Sequence, residues 1–163
     1  MIDQRHFRHY VVRPTLGLLG LQAGSAEDLI MGTAAVESHM GTYLKQVGGG
    51  PALGVMQMEP ETHDDIWRTW LAYRANDARL VKTLVGDHWV DVVTRIPKAH
   101  LLITDLAYSV AMARHKYRRA APPLPLVGDW EALGEYWVTH YNAGGAGTVE
   151  KWMDACRECE VIT

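Results

Sequence analysis

Glu37 ends an apolar helical stretch, Ala34-Ala35-Val36-Glu37-Ser38, upstream of Gly54-Val55-Met56-Gln57-Met58. A carboxyl so placed is poorly solvated, and poor solvation favours its neutral form, the form that donates a proton near neutral pH. Around it in the chain stand groups that suit a polar ligand. Gln57 offers an amide donor and acceptor, Met56 a polarisable apolar surface, and Tyr141-Asn142-Ala143-Gly144 a phenol and a second amide. Each of these also has a plain structural reading. A glutamate ending a helix commonly pairs with an arginine, and Ser38 can bond helix-end backbone instead of orienting the carboxyl. Gln57 can satisfy backbone after Gly54, and Met56 can fill the core. Tyr141 fits a core position at helical spacing, and Asn142 before Ala143-Gly144-Gly145 suits a helix C-cap.

The elements that must position these groups are helical almost throughout. Asp3 is placed to cap a first helix carrying Phe7, Val11 and Leu18 on one side, bent at Pro14. Ser25-Ala26-Glu27-Asp28 has the form of a capping box, followed by Leu29, Thr33, Val36 and Met40 at helical spacing. Ile30, Ala34 and Glu37 make the adjacent row, so Glu37 is expected beside the buried stripe. Pro60 opens a segment with Ile66, Trp67, Trp70 and Leu71; a polar stretch from Arg74 to Arg79 leads into a less regular region around Leu80, Leu84, Trp89 and Val93. The clearest helix spans 97–121, with Leu102, Leu106, Val110, Ala113 and Tyr117 as one stripe, stopped by Pro122-Pro123-Leu124-Pro125. Asp129 then caps a helix with Trp130, Leu133, Trp137 and Tyr141 inward. Thr148 starts the last one, with Val149, Trp152, Met153 and Cys156 facing the core. Strand signals are poor, and the expectation is a mainly α fold in one domain, residues 1–163.

Composition narrows the function. A net charge of -3 and a pI near 6.2 provide no broad basic surface, so no nucleic acid partner is expected. The cationic cluster Arg114, Lys116, Arg118 and Arg119 reads as charges at a helix C-terminus. The two cysteines, Cys156 and Cys159, form a single Cys-x-x-Cys without a second pair, and read as buried or half-buried thiols. Eight histidines lack ligand spacing, so no metal and no cofactor are expected. The apolar run Leu16 to Leu21 is too short to span a bilayer, and the N-terminus lacks the pattern of a Sec-type signal peptide. No stable membrane insertion is expected. Six tryptophans invite a stacking role but mostly fall on apolar stripes, Trp89 being the least explained.

Four motifs in order resemble the lytic transglycosylases of the goose-type lysozyme superfamily, specifically the small versions carried by bacteriophages. They are Glu37-Ser38, then Gly54-Val55-Met56-Gln57-Met58-Glu59-Pro60, then the helix bearing Tyr108 and Tyr117, then Tyr141-Asn142-Ala143-Gly144. The resemblance runs from about Ala34 to Trp152. The chain departs from the family pattern at His39-Met40-Gly41, where an asparagine is usual, at His140, where alanine is, and at Gly145, where proline is. The resemblance implies a lysozyme-like fold and cleavage of the MurNAc–GlcNAc linkage of peptidoglycan with a 1,6-anhydro product. It implies Glu37 as the single general acid/base, with Tyr141 holding it aimed. Ser38, Met56, Gln57, Tyr117 and Asn142 would contact the sugars. Glycan strands are then the partner, with other virion proteins a further one if the chain travels in the particle.

Such a protein is expected to be made in the host cytoplasm and to reach the wall through a holin-type membrane hole or as a virion component. Three alternatives stand beside this reading. A hydrolysing muramidase on the same fold would use a second acid from Glu59, Glu61, Asp64 or Asp65, which otherwise read as a helix's acidic first turn. A virion structural or wall-binding protein would have no catalysis at all. A zinc protein would use Cys156, Cys159 and histidines. The run Gly48-Gly49-Gly50 is expected to be a loop over the cleft or a plain connector.

Overall fold

The first helix begins at the fourth residue, and a computed structural model describes residues 1–162 of the chain. Asp3 caps α1 (Gln4–Phe7) as its sequence predicts, accepting from the backbone N–H of Arg5 at 2.9 Å and of His6 at 3.0 Å. The bend expected at Pro14 takes the form of a π turn, Arg8–Val12, ahead of α2 (Arg13–Leu18). Proline supplies no N–H and its ring crowds the carbonyl four residues back, so the helix widens there. The extra residue lodged in the wide turn rotates the inward face. Val12, Thr15, Leu16 and Leu19 are buried, whereas Leu18, expected inward, is 41% exposed.

α3 (Gly24–Ser38) is the central helix. Its start departs from the capping box expected at Ser25: the N-cap is Ala23, and no side chain caps it. The first-turn acids have turned inward to meet the first helix instead. Arg8 Nη1 donates to Asp28 at 2.8 Å, Arg13 Nε to Glu27 at 2.8 Å, and the Gly128 N–H to Asp28 at 3.0 Å. From Ala26 to Ala35 the helix is buried all round, and only Val36 and Glu37 in its last turn reach partial exposure.

Pro60 opens α4 (Pro60–Asp65), which continues through a π turn, Ile66–Trp70, and a short tight turn, Leu71–Tyr73. α5 (Ala75–Lys82) forms within the stretch expected to be polar and irregular. Long-range pairing accounts for it, because Asp77 receives Arg118 and Val81 is buried. Trp89, in the turn Asp87–Trp89, is half-buried and stacks on His100 with centroids 5.9 Å apart. The expected single helix over 97–121 is two, α6 (Leu101–Thr104) and α7 (Leu106–Arg118). Asp105 breaks them: its backbone is extended and its carboxylate accepts from the Tyr108 N–H at 2.8 Å, the cap geometry that aspartate favours over helix interior.

Asp129 caps α8 (Trp130–His140) and Thr148 caps α9 (Val149–Glu158), both through bonds to the third residue after the cap, as expected. α3 packs against α9, α8, α7 and the first π turn. Trp152 of α9 is fully buried between α3 and α8 because Gly32 and Gly134 leave room for it; a Cβ at either position would run into the indole. Two apolar clusters result, one around α3 with Phe7, Ile30, Tyr117 and Trp152, the other around Met58, Ile66, Leu71 and Met112. Different faces of α7 serve both. Among the described residues β pairing is limited to isolated bridges, such as Lys45 with Leu53 at the base of the glycine-rich loop. The fold is mainly helical. No helix among the described residues is long and apolar enough to cross a membrane. Cys156 and Cys159 are free, buried thiols, and no three His, Cys, Asp or Glu side chains among the described residues converge as metal ligands.

Candidate active site

Glu37 sits where α3 runs out of apolar surroundings. The helix is stopped abruptly: His39 and Met40 both take left-handed backbone (φ 50° and 51°), followed by Gly41 at φ 74°. Ser38 holds this turn. Its hydroxyl contacts the Ala34 carbonyl at 3.1 Å, donates to the Val55 carbonyl at 2.7 Å, and accepts from the Gly41 N–H at 2.8 Å. Ser38 is completely buried. Of its two readings, orienting the carboxyl or bonding backbone, the second is observed, and the substrate contact expected of it is corrected.

The turn at Gly54 lies beside this helix end. Gly54 has φ 75°, and a Cβ there would collide with the Leu102 carbonyl, so only glycine lets the turn pass α6. Met56 is fully buried. Its side chain belongs to the core, correcting the expected sugar contact; apolar bulk at this point is better used against α3. Gln57, with φ 42°, does face outward, and donates its amide to the Gly54 carbonyl at 2.8 Å and to that of Tyr43 at 3.4 Å. Its remaining acceptor is the group it can offer a ligand.

α8 delivers the partner of Glu37, and it is not the expected one. Tyr141 donates its hydroxyl to the Met56 carbonyl at 2.8 Å, and the Trp137 indole N–H donates to Glu37 Oε1 at 2.9 Å. Trp137 and Tyr141 are one helical turn apart on the same inward stripe. The phenol is spent on the Met56 carbonyl, which leaves the carboxyl to the indole. The expected bond from Tyr141 to Glu37 is corrected accordingly. Tyr117 is also misassigned to the sugars: it is buried, and its hydroxyl bonds Thr33 at 2.7 Å. Tyr108 is buried as well, shared by His63 at 2.6 Å and the Trp67 indole at 2.9 Å.

These pieces enclose an open groove of about 500 Å³ lined by Glu37, Gln46, Ala52, Gln57, Glu59, Thr62, Lys116, Tyr141 and Asn142 through Gly145. The end of α3, the loop carrying the glycine run, the Gly54 turn, α7 and the α8–α9 turn all contribute to it. Burial raises the Glu37 pKa from 4.5 to about 7, against the opposing pull of the Trp137 hydrogen bond and the Lys116 charge. A half-buried carboxyl that exchanges its proton near neutrality, at the wall of a polar groove, is equipped for general acid/base work. Asn142 lines the groove; the C-cap of α8 expected there is Tyr141 instead, with the Asn142 backbone N–H following it onto the same Trp137 carbonyl at 3.0 Å.

Reasoning from sequence missed Lys116 and Gln46, and named Glu59 only as one of four candidate second acids; of those four, Glu59 lines the groove. The cationic cluster was the signal for Lys116, but only the fold separates its members. Arg118 bridges Asp77 and Arg119 bridges Asp65, while Lys116 alone of those three lines the groove. No family model, no curated protein and no solved structure matches the chain.

Proposed function

We propose that this chain is a peptidoglycan lytic transglycosylase on a lysozyme-like fold, cleaving the β-1,4 bond between MurNAc and GlcNAc. The observation that carries this reading is the Glu37 carboxyl, with its pKa raised to about 7, bonded by an indole and open to a polar groove. Glu37 gives its proton to the glycosidic oxygen as the bond from that oxygen to the anomeric carbon breaks. The N-acetyl oxygen of the same sugar stabilises the anomeric carbon. That sugar's own C6 hydroxyl then attacks, forming the 1,6-anhydro bond, and its proton returns to Glu37. Water is not consumed, and one carboxyl serves twice. A value near the working pH is what such a double role requires. Holding the attacking hydroxyl on the same molecule contributes several kcal/mol through proximity. Gln57 and Asn142 bind sugar amides and hydroxyls, and Tyr141 supports the groove wall. By its resemblance to the phage enzymes, the chain is a lysis protein or a virion-borne lysin.

A hydrolysing muramidase is the second reading, favoured by one observation: Glu59 lines the same groove as Glu37 and supplies the second carboxylate that hydrolysis uses. Mass spectrometry of digested peptidoglycan distinguishes the two. We expect 1,6-anhydro ends; reducing ends throughout would establish the hydrolase. Replacement of Glu37 by Gln is expected to lower clearing of purified cell walls by at least about a hundredfold. Full clearing by that variant excludes Glu37 as the acid/base of either enzymatic reading, whereas a parent protein that binds walls without clearing them would leave a wall-binding protein.

A further inference from the structure

Lys116 is held in the groove by neutral partners. Its ammonium donates to the Tyr141 carbonyl at 2.7 Å and lies 3.8 Å from the centroid of the Tyr141 ring. A carbonyl and an aromatic face both bind an ammonium as a cation without cancelling its charge. Among the described residues, no carboxylate lies within salt-bridge distance of it, in contrast to its neighbours Arg118 and Arg119. The charge is therefore fixed in place without an ion-pair partner among the described residues, beside two acids of the groove wall, Glu37 and Glu59.

We propose that Lys116 is a positioning residue for Glu37: its ammonium, anchored on Tyr141, supplies the positive charge that allows a half-buried carboxyl to become an anion when it releases its proton. This rests on Glu37 acting as the acid and base. Burial alone disfavours the ionised form, and a general acid that cannot ionise cannot donate. The groups facing Glu37 leave few other sources of compensation. Tyr117 of α7 and Tyr141 of α8 are neutral phenols whose own ionisation is strongly suppressed by burial, and Glu59 carries the wrong sign. Trp137 contributes one hydrogen bond. Lys116 in turn feels burial, which lowers its pKa, opposed by Glu37 and Glu59, with Arg119 adding to the lowering. A second consequence follows from the same contact. The Tyr141 carbonyl lies at the C-terminal end of α8, so the lysine also ties the turn bearing Asn142 to α7.

Three substitutions separate charge from tether. Lys116→Arg keeps both, Lys116→Gln keeps a donor for the Tyr141 carbonyl without the charge, and Lys116→Met removes both. The Glu37 carboxyl is followed directly by NMR titration of protein labelled with ¹³C-glutamate, and the pH profile of cell-wall clearing is measured alongside. We expect the Glu37 midpoint to move up by about one pH unit in the Gln and Met variants and to stay near the parent's in Arg. The basic limb of the clearing profile follows it upward, and the plateau falls by roughly tenfold. An unmoved midpoint in Lys116→Gln overturns the proposal, even if clearing is lost, and reduces Lys116 to a tether. The carboxyl titration reads the coupling without reference to catalysis. A shifted midpoint together with full clearing by Glu37→Gln therefore identifies the acid/base reading as the part that failed.

Discussion

At the scale of single residues, the site depends on how one carboxyl is treated by its neighbours. The Trp137 indole donates to Glu37 and favours the ionised form. Trp137→Phe keeps an aromatic ring against Trp152, whose centroid is 5.8 Å away, but removes the donor. The Glu37 pKa should then rise above 7, by about one unit for a bond to a charged acceptor. The basic limb of the clearing profile should move up with it; a profile that keeps its shape and position would show the indole to be packing alone. Glu37 itself was legible because an acid on an apolar helix followed by Gly54 and Gln57 is an unusual conjunction. Its partner was not. Trp137 and Tyr141 lie on one stripe with one spacing, and which of them meets the carboxyl is decided by where the Glu37 and Met56 acceptors stand in the folded site. Ser38 and Met56 fall within motif positions yet face inward, because a motif records which residues travel together and not which of them turn outward.

At the scale of elements, most helices and their caps could be read from the chain: Asp3, Asp129 and Thr148 all cap where their types predict. The misreadings share a cause, long-range partners. Glu27 and Asp28 look like exposed first-turn acids until Arg8 and Arg13 arrive from the first helix, and α5 is held by the Arg118 of a distant one. Two misreadings are local exceptions: Asp105 breaks the expected 97–121 helix by capping its second half, and Pro14 announced a disturbance without showing that the π turn relieving it would turn Leu18 outward. Packing between elements gives a prediction of its own. Gly32→Ala gains up to about 1 kcal/mol in helix propensity but drives a methyl into the Trp152 ring, where overpacking costs about 1–3 kcal/mol. The indole is fully buried and cannot swing aside, so the clash prevails. Urea unfolding should report net destabilisation. Clearing activity should fall as well, since Trp152 packs at a tilt against the indole that is bonded to Glu37. A variant as stable as the parent would mean that α3 and α9 can separate freely.

At the scale of the whole molecule, two buried groups set opposing pH dependences. Glu37 is protonated in the fold up to about pH 7, against 4.5 when exposed. The folded chain holds the extra proton between those values, so stability falls as pH rises through them. His115 is the reverse. Burial, reinforced by Arg118 and Arg114, lowers its pKa from 6.5 to about 4, and neither ring nitrogen has a hydrogen-bond partner among the described residues. There the unfolded chain holds the extra proton, so stability falls as pH drops from 6.5 to 4. The windows overlap between 4.5 and 6.5, where the two slopes oppose each other. Burial also lowers the pKa of His63, which adds to the His115 side. Relative to the parent, His115→Leu should tilt the profile toward a decline at higher pH, and Glu37→Gln toward a decline at lower pH, each by up to about 1.4 kcal/mol per pH unit. Denaturant titrations at half-unit steps measure this; parallel curves for all three proteins would show that neither group carries the dependence.

The left-handed pair His39 and Met40 has one more implication. Two successive side-chain-bearing residues in that region cost on the order of 1 kcal/mol each, and an unrestrained chain would relax by winding another turn of helix. The buried Ser38 hydroxyl, bonded on both sides of the turn, opposes that relaxation. A serine turned away from the groove thereby fixes where the Glu37 carboxyl stands, and under the proposed acid/base role its loss would misdirect the proton.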